Sequence, residues 1–566
     1  MNSSFLKTKI RLPLVLLTAL WACGDEDPKP ELVAPAAVIQ VTEGDVNLPV
    51  GGSVTLTAIV ENATHPVYAW TVDGQVISST LTCRFTGSAI GEYFIHFRVD
   101  ADNGKDEKQI KVTVAGNTPP VLSLPAAVMV YAGMDKILTA EAKNATAPAY
   151  EWRLNNEVVS TTHTCTFRQT AAGNYTLDVK LTTAGGSDRK TMTVTVVAAV
   201  AELYFDDGHY RTASNAATLR KMTVPLGKSL VLTPVISHIE HPDNFQWTVD
   251  GVPQSATTGF FTFTPTAIGT SLISVTEQTS SATTEVQVEC TEPEGTFFRE
   301  KTASSKASAA TALEYIPAPG QFINYPIETT MDKGLQDLQT WLNNGTSYFY
   351  AGAYGGYFIA GFDHSVSNVA GKADLQIRGN TIPSWCEPGV VWVMQDNNGN
   401  GLPDDTWYEL RGSETGKSET RQRHAVTYFK PAAANADVLW ADNRGQTGSI
   451  DRLIYHQQPY YYPMFVAGEQ FTLTGTCLAS GTSLDGIIEV SPCFNWGYVD
   501  NISSGNPDRE DTDGSHFWIE DAVQADGTPA HLQYIDFVKV QTATIGKALA
   551  SGEVSTEAFP PVDLNF

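Results

Sequence analysis

The feature that most limits how this chain can fold is an internal repeat. Asn62-Ala63-Thr64 returns as Asn144-Ala145-Thr146, Trp70 as Trp152, Cys83 as Cys165, Gly91 as Gly173 and Tyr93 as Tyr175, all at a spacing of 82 residues. Five coincidences at one offset mark a structural unit used twice. A looser third copy follows: Phe245-Gln246-Trp247 echoes Tyr68-Ala69-Trp70, and Thr248-Val249-Asp250-Gly251 repeats Thr71-Val72-Asp73-Gly74. Ala267-Ile268-Gly269 likewise repeats Ala89-Ile90-Gly91. Within a copy, Val54, Leu56 and Ala58 alternate with Ser53, Thr55 and Thr57, and Ile110, Val112 and Val114 alternate in the same way. A period of two predicts strands with one face buried and one in water.

Trp70, Trp152 and Trp247 each stand in an aromatic-x-Trp strand before a polar turn, as the core tryptophan of an immunoglobulin-like sandwich does. Cys83 and Cys165 hold equivalent places in separate copies, which predicts one buried free thiol per domain. The pattern resembles PKD and related Ig-like domains, which implies spacer modules at 33–116, 117–199 and 200–290. Core packing accounts for the repeated aromatics, and the Asn-Ala-Thr triplets read as loop residues rather than glycosylation sites.

The amino terminus predicts where the protein works. Lys7, Lys9 and Arg11 precede an apolar run from Leu12 to Leu20, followed by Leu20-Trp21-Ala22-Cys23. The run is too short to span a bilayer and has the layout of a secretory signal. It resembles a bacterial lipoprotein signal, which implies removal of 1–22 and lipidation of Cys23. Gly24-Asp25-Glu26-Asp27, within an acidic tether at 23–32, is similar to the signal that sends Bacteroidetes lipoproteins to the outer face of the outer membrane. A formal charge of −26 argues against nucleic acid as a partner and suits a solvated surface protein or one that binds divalent cations. Of the remaining cysteines, Cys477 and Cys493 are the closest candidate pair for a disulfide.

Residues 291–312, rich in Ser, Ala and Thr without apolar periodicity, read as a linker. Beyond it the composition changes: seven of the eleven tryptophans lie there, among many Gly, Asn and Asp. One short helix is predicted around Thr329 to Leu342, where Leu335, Leu338 and Leu342 share a face. The rest of 313–566 reads as short strands at 357–362, 390–395, 407–411, 425–429, 471–474, 486–490 and 535–540. The expectation is an all-β chain: three tandem sandwiches, then a larger β-sandwich or jelly roll.

The sharpest chemical motif is Asp396-Asn397-Asn398-Gly399-Asn400-Gly401-Leu402-Pro403-Asp404-Asp405. Oxygen ligands at alternate positions with a glycine at the sixth can wrap Ca2+, here from Asp396, Asn398, Asn400, the Leu402 carbonyl and Asp404. Position twelve is Trp407 rather than glutamate, so Asp405, Glu409 or a distant loop must close the shell. A metal-free turn is the alternative. The acidic residues from Asp508 to Asp536 read mostly as a solvated loop.

Aromatic clusters are the candidates for a binding surface, since ring faces pack on sugar C–H patches. Tyr460, Tyr461 and Tyr462 lie between prolines and are not expected all to face inward; Trp385 and Trp440 join them as candidate ligand-binding residues. Tyr357 to Phe362 reads as core. Gly497-Tyr498-Val499-Asp500-Asn501, Trp518 to Val523, Ile535 to Val540, Pro319 to Asn324 and Glu387 to Trp392 resemble a family of Bacteroidales surface proteins called simply "cell surface protein". That resemblance covers about 315–545 and implies an export-associated β-rich domain without a settled activity.

No nucleophile elbow, zinc motif or phosphate loop is present. Asp363-His364-Ser365 reads as a polar loop, because neighbours in sequence do not converge as a triad does. The expectation is a non-enzymatic, lipid-anchored surface protein whose C-terminal domain captures a glycan or vitamin-like nutrient for an outer-membrane transporter. A glycan hydrolase with acids among Asp404, Asp405, Glu409, Asp511 and Glu520, and an adhesin binding host or neighbouring-cell protein, are the alternatives.

Overall fold

The computed structural model describes residues 36–116, 118–324, 330–466, 468–485, 488–509, 514–548 and 550–566. The expected signal peptide at 1–22, Cys23 and the expected acidic tether at 23–32 lie outside the described residues. The chain divides into two compact units, Met1–Pro119 with Ala184–Gly186, and Pro120–Thr183 with Ser187–Phe566, and each is described by itself.

The first unit is one β-sandwich. Its larger sheet runs Val46–Pro49, Gly104–Ala115, Gly91–Ala101, Val67–Val72, Gln75–Ser78, and the facing sheet is Val38–Val41, Ser53–Glu61, Thr82–Thr86. Trp70 is fully buried against Phe97, with ring centroids 4.6 Å apart. Its indole N–H donates to the Thr80 carbonyl at 3.0 Å. Leu56 and Ala58 are buried while Ser53 and Thr55 are exposed, as the alternation requires. Asn62 ends its strand at φ 58°, a left-handed position that asparagine tolerates better than most residues, so a turn accounts for the Asn-Ala-Thr repeat.

The second unit opens with the other two sandwiches, built to the same plan. Trp152 and Trp247 are fully buried, and their indoles donate to Thr162 and Thr258 carbonyls at 2.9 Å each. Cys83, Cys165 and Cys290 are buried free thiols.

The C-terminal region packs two sheets face to face. A six-stranded sheet is ordered Thr311–Ile316, Tyr357–Ser367, Tyr534–Thr542, Gly389–Met394, Tyr408–Leu410, Ala522–Val523. A five-stranded sheet is ordered Arg211–Thr212, Gln470–Cys477, Arg421–Phe429, Val438–Asp442, Thr447–Ile450. The helix spans Met331–Asn344; Thr330 accepts a hydrogen bond from the Lys333 N–H at its start, and Gly345 at φ 62° ends it. Leu338, Trp341 and Leu342 enter the core. Among the described residues the chain is thus all-β apart from this helix and short 3-10 turns, as expected.

Two boundaries differ from the sequence reading. Arg211–Thr212, from the third repeat, hydrogen-bonds to Phe471 and Thr472 as an edge strand of the C-terminal sheet. Residues 291–312 are not a free linker. Glu294 is buried beneath Lys228, 2.7 Å away, Phe298 packs edge-on to Tyr534 at 5.1 Å, and Arg299 pairs with buried Asp536 at 2.9 Å. Composition hid this, because Tyr534 and Asp536, which hold Phe298 and Arg299, come more than two hundred residues later.

The third sandwich is therefore fastened along the C-terminal domain rather than carried as a separate spacer. Thr223 and Thr406 exchange hydrogen bonds at 3.0 and 2.7 Å, and Tyr204 meets Thr474 at 2.8 Å. Lys539, 2% exposed, donates to the Gly208 carbonyl at 2.6 Å and lies 4.2 Å from the Tyr357 ring centroid. Burial lowers the pKa of this ammonium, and Asp206, Glu314 and Asp207 oppose that effect. The second sandwich docks as well: Met129, Tyr131 and Ala441 share a small apolar cluster, and the Tyr131 hydroxyl donates to the Asp442 carbonyl at 2.6 Å.

The disulfide joins Cys386 to Cys493, not Cys477 to Cys493, and Cys477 is a buried free thiol. Cys477 ends an interior strand of the five-stranded sheet, whereas Cys386 is brought to Cys493 by a fold that closes 107 residues of chain. Nearness in sequence was the wrong guide.

Candidate functional site

Where the second sandwich, the third sandwich and the C-terminal domain meet, they enclose a cleft of about 840 Å³, within the range of small-ligand sites. Tyr131 and Met134 come from the second sandwich, His238 and Phe260 from the third, and Arg423 and Arg444 from the C-terminal domain. Asn443 ties the surrounding backbone together. Its Nδ2 donates to the Ile236 and Arg423 carbonyls at 2.9 and 3.2 Å, and its Oδ1 accepts from the Ala425 N–H at 3.0 Å. The His238 N–H donates to the Asn443 carbonyl at 3.3 Å.

His238 packs against Tyr131 with centroids 4.5 Å apart, and burial lowers its pKa, so near pH 7 this ring adds no positive charge. Phe260 is 45% exposed and offers an open ring. Arg423 sits at φ 50°, where the pairing between Arg421–Phe429 and Gln470–Cys477 slips. A bulge with a left-handed non-glycine residue re-aims a side chain at a cost of order 1–3 kcal/mol. Beside it, His424 is fully buried and pushed down to about 3 by burial, with Arg421 and Arg444 adding to the effect. His424 is therefore neutral.

None of the ligand-binding candidates from sequence lines this cleft. Tyr461 and Tyr462 are fully buried. Tyr461 accepts from the Leu453 N–H at 3.1 Å and donates to the His456 carbonyl at 3.0 Å, while Tyr462 packs on Phe471 at 5.3 Å. Both enter the core because Gly320 and Asn324 take up the backbone carbonyls of 460–462, which an isolated extended segment would have left to water. Tyr460 is half-buried. Trp440 is half-buried over Gly448, where an added Cβ would lie 2.4 Å from the indole. Trp385 is half-buried, and its backbone bridges to Ser491 next to the disulfide.

The loop at 396–405 is a closed polar turn. The Asp396 carboxylate accepts the N–H groups of Asn400 and Gly401 at 3.1 and 2.9 Å. The Asn400 amide accepts from the Leu402 N–H at 2.7 Å and donates to Asp404 at 3.0 Å. Asp405 turns inward: its oxygens accept from the Asn397 N–H and the Asn398 amide at 3.0 and 3.3 Å, and burial pushes it up to about 7. Among the described residues no group of three or more His, Cys, Asp or Glu side chains is placed to hold a metal. The all-oxygen donors of Asp396, Asn398, Asn400 and Asp404, with the Leu402 carbonyl, still suit a hard cation.

Other acids are engaged. Asp363-His364-Ser365 is not a polar loop but lies in the Tyr357–Ser367 strand. His364 is held by Asp363 and Asp563 at 2.9 and 3.0 Å, while the Ser365 hydroxyl donates to Asp536 at 2.6 Å. Asp536 and Asp521 are buried in ion pairs rather than solvated. Glu520 pairs with Arg509, Glu409 bonds Thr476, and Asp511 lies outside the described residues. A separate group of carboxyls, Glu387, Asp500, Glu553 and Glu557, was not singled out in the sequence. Burial, helped by mutual repulsion, pushes Asp500 and Glu553 up to about 8. Nothing in the sequence pointed to Tyr131, His238, Phe260, Arg423 or Arg444 either, because the cleft forms only when three domains assemble.

No protein-family model matches the chain, and no curated protein is similar to it at a significant level. Solved structures similar to it are tandem β-sandwiches. The fibronectin(III)-like modules of Clostridium thermocellum CbhA are 16% identical over 28% of this chain and 95% of theirs, with a TM-score of 0.16. Three N-terminal domains of the bacteriophage RB49 capsid protein Hoc are 17% identical over 46% and 99%, with a TM-score of 0.20. Titin I67–I69 is 13% identical over 45% and 98%, with a TM-score of 0.17.

Proposed function

We propose that this chain is a lipid-anchored protein of the outer-membrane surface that captures an extracellular ligand, a glycan or vitamin-like nutrient, without transforming it. The observation that carries the reading is the three-domain cleft, which combines an open ring, a tilted Tyr131–His238 pair and two arginines in about 840 Å³. That mixture of apolar faces and a few polar groups is how small-molecule sites are lined. In this reading Cys23 carries the lipid, Ca2+ stiffens the 396–405 loop beside the third sandwich, and an outer-membrane transporter receives the ligand. No helix among the described residues is long and apolar enough to cross a membrane, so the lipid is the anchor assigned to it.

The test is direct binding of the full mature chain to arrays of extracellular glycans and cofactor-type nutrients, repeated with Phe260→Ala. Capture predicts a retained ligand, unchanged after incubation, whose affinity falls on loss of the ring. Cleavage of a bound glycan, or retention indifferent to Phe260, overturns the reading.

A further inference from the structure

Building on that capture reading, we propose that the ligand of the cleft is an acidic sugar, read by Arg423 and Arg444 through its anionic group and by the aromatic residues through its ring. The chain carries a formal charge of −26, so its average field repels anions. The cleft departs from that average because Arg423 and Arg444 balance Glu240 and Asp526 among its lining residues.

Arg423 is placed there at the cost of a left-handed backbone in a bulge. Among the described residues its guanidinium makes one hydrogen bond, from Nη1 to the Ala525 carbonyl at 3.0 Å, and joins no ion pair. Glu409, the acid whose charge most favours its guanidinium, is already bonded to Thr476 and is pushed up to about 7 by burial. Arg444 has an exposed side chain with no hydrogen bond or ion pair among the described residues, while its backbone N–H is fixed by Asp442 at 2.9 Å. Planar guanidinium forks with unused donors match the geometry of a carboxylate or other oxyanion.

The remaining groups suit a sugar ring. Phe260 and the Tyr131–His238 pair supply apolar faces, which pack on ring C–H groups. Glu240 and Asp526 are exposed in the same cleft, and carboxylates accept hydrogen bonds from hydroxyls. They also disfavour a ligand that is anionic all round, so the charge belongs at one end of a hydroxylated ring. His238 and His424 have lowered pKa values and leave the two arginines as the cations that define that end.

The experiment is calorimetric titration of the full mature chain with uronic-acid oligosaccharides, their neutral counterparts and glucose 6-phosphate. The acidic oligosaccharides are expected to bind at least about tenfold more tightly than the neutral ones, the worth of one charge-assisted contact. Added salt should narrow the gap. Arg444→Ala should reduce the preference without changing the melting temperature, since the side chain is exposed, whereas Phe260→Ala should weaken acidic and neutral sugars alike. Equal affinity for the two sugar classes, or an acid preference undiminished by Arg444→Ala, overturns the anionic assignment while leaving capture intact. Preference for glucose 6-phosphate over uronates overturns the sugar acid in favour of a phosphate. Failure of every probe, together with silence on the wider arrays, overturns capture itself.

Discussion

The imidazole of His209, in the third sandwich, lies 2.6 Å from the Glu314 carboxylate of the C-terminal domain. Its other nitrogen lies 2.9 Å from the Pro403 carbonyl in the candidate calcium loop. Both partners offer acceptor oxygens, so the arrangement favours a ring that donates from both nitrogens. Burial opposes the charge of such a ring, but the hydrogen bond and charge of Glu314 outweigh it and the pKa rises. A raised histidine pKa contributes stability that is complete below the unfolded value of about 6.5 and is lost as pH climbs through the folded value. The melting temperature of the chain should therefore fall with rising pH above that point. His209→Gln should remove part of the slope, and a slope identical in the variant would show the latch to be idle.

The buried carboxyls act in the same direction by a different route. Asp500 and Glu553 at about 8 and Glu557 at about 7 hold protons in the folded chain that the unfolded chain releases near pH 4. The folded state binds more protons between those limits, so stability declines across roughly pH 4 to 8. Proton uptake on refolding at pH 6, followed with an indicator dye, is the expected signature; release would contradict it.

A fragment beginning at residue 313 should fold poorly. It lacks Arg299, the partner of buried Asp536, the Glu294 anchor and the Arg211–Thr212 edge strand. Residues 120–566 should give a cooperative melt, and residues 313–566 should show exposed apolar surface by dye binding.

Peptide mapping under non-reducing conditions should recover Cys386 linked to Cys493, with Cys477 alkylated only after unfolding. Cys493→Ser should cost about 4–5 kcal/mol on the loop-entropy estimate for a ring of this size, seen as a lower denaturant midpoint.

Calcium should raise the melting temperature of the full chain, and Asp396→Ala should abolish that rise. Asp405→Asn should lower stability whether or not calcium is present, because Asp405 accepts from Asn397 and Asn398 inside the loop. An unchanged melting temperature on adding calcium removes the ion from the proposal.

What was legible in the sequence was local. The period-two alternation around Leu56 and Ile110, the core tryptophans and the Leu338–Leu342 helix face all follow from nearest-neighbour chemistry, and all appear in the fold. What was not legible needed partners distant in the chain. Ser- and Thr-rich 291–312 looks solvated until Asp536 and Tyr534 arrive, and nothing local shows that Tyr461 and Tyr462 both turn inward once 319–324 takes up their backbone carbonyls. The candidate cleft collects residues from Tyr131 to Asp526, so no motif spacing announces it. The turn at Asp396, by contrast, follows from local pattern, since its carboxylate accepts the N–H groups of Asn400 and Gly401 a few residues on.

The two-residue pairing of Arg211–Thr212 with Phe471 and Thr472 also bears on how the molecule behaves in a crowd. A bare sheet margin is a template on which a foreign strand can grow, and secreted proteins at high local density are vulnerable to such growth. Here the margin beside Gln470–Cys477 is partly occupied by the chain's own backbone. Loosening the third sandwich would thus expose a sticky border as well as open the candidate cleft, so that one disturbance both unmakes the cleft and invites self-association.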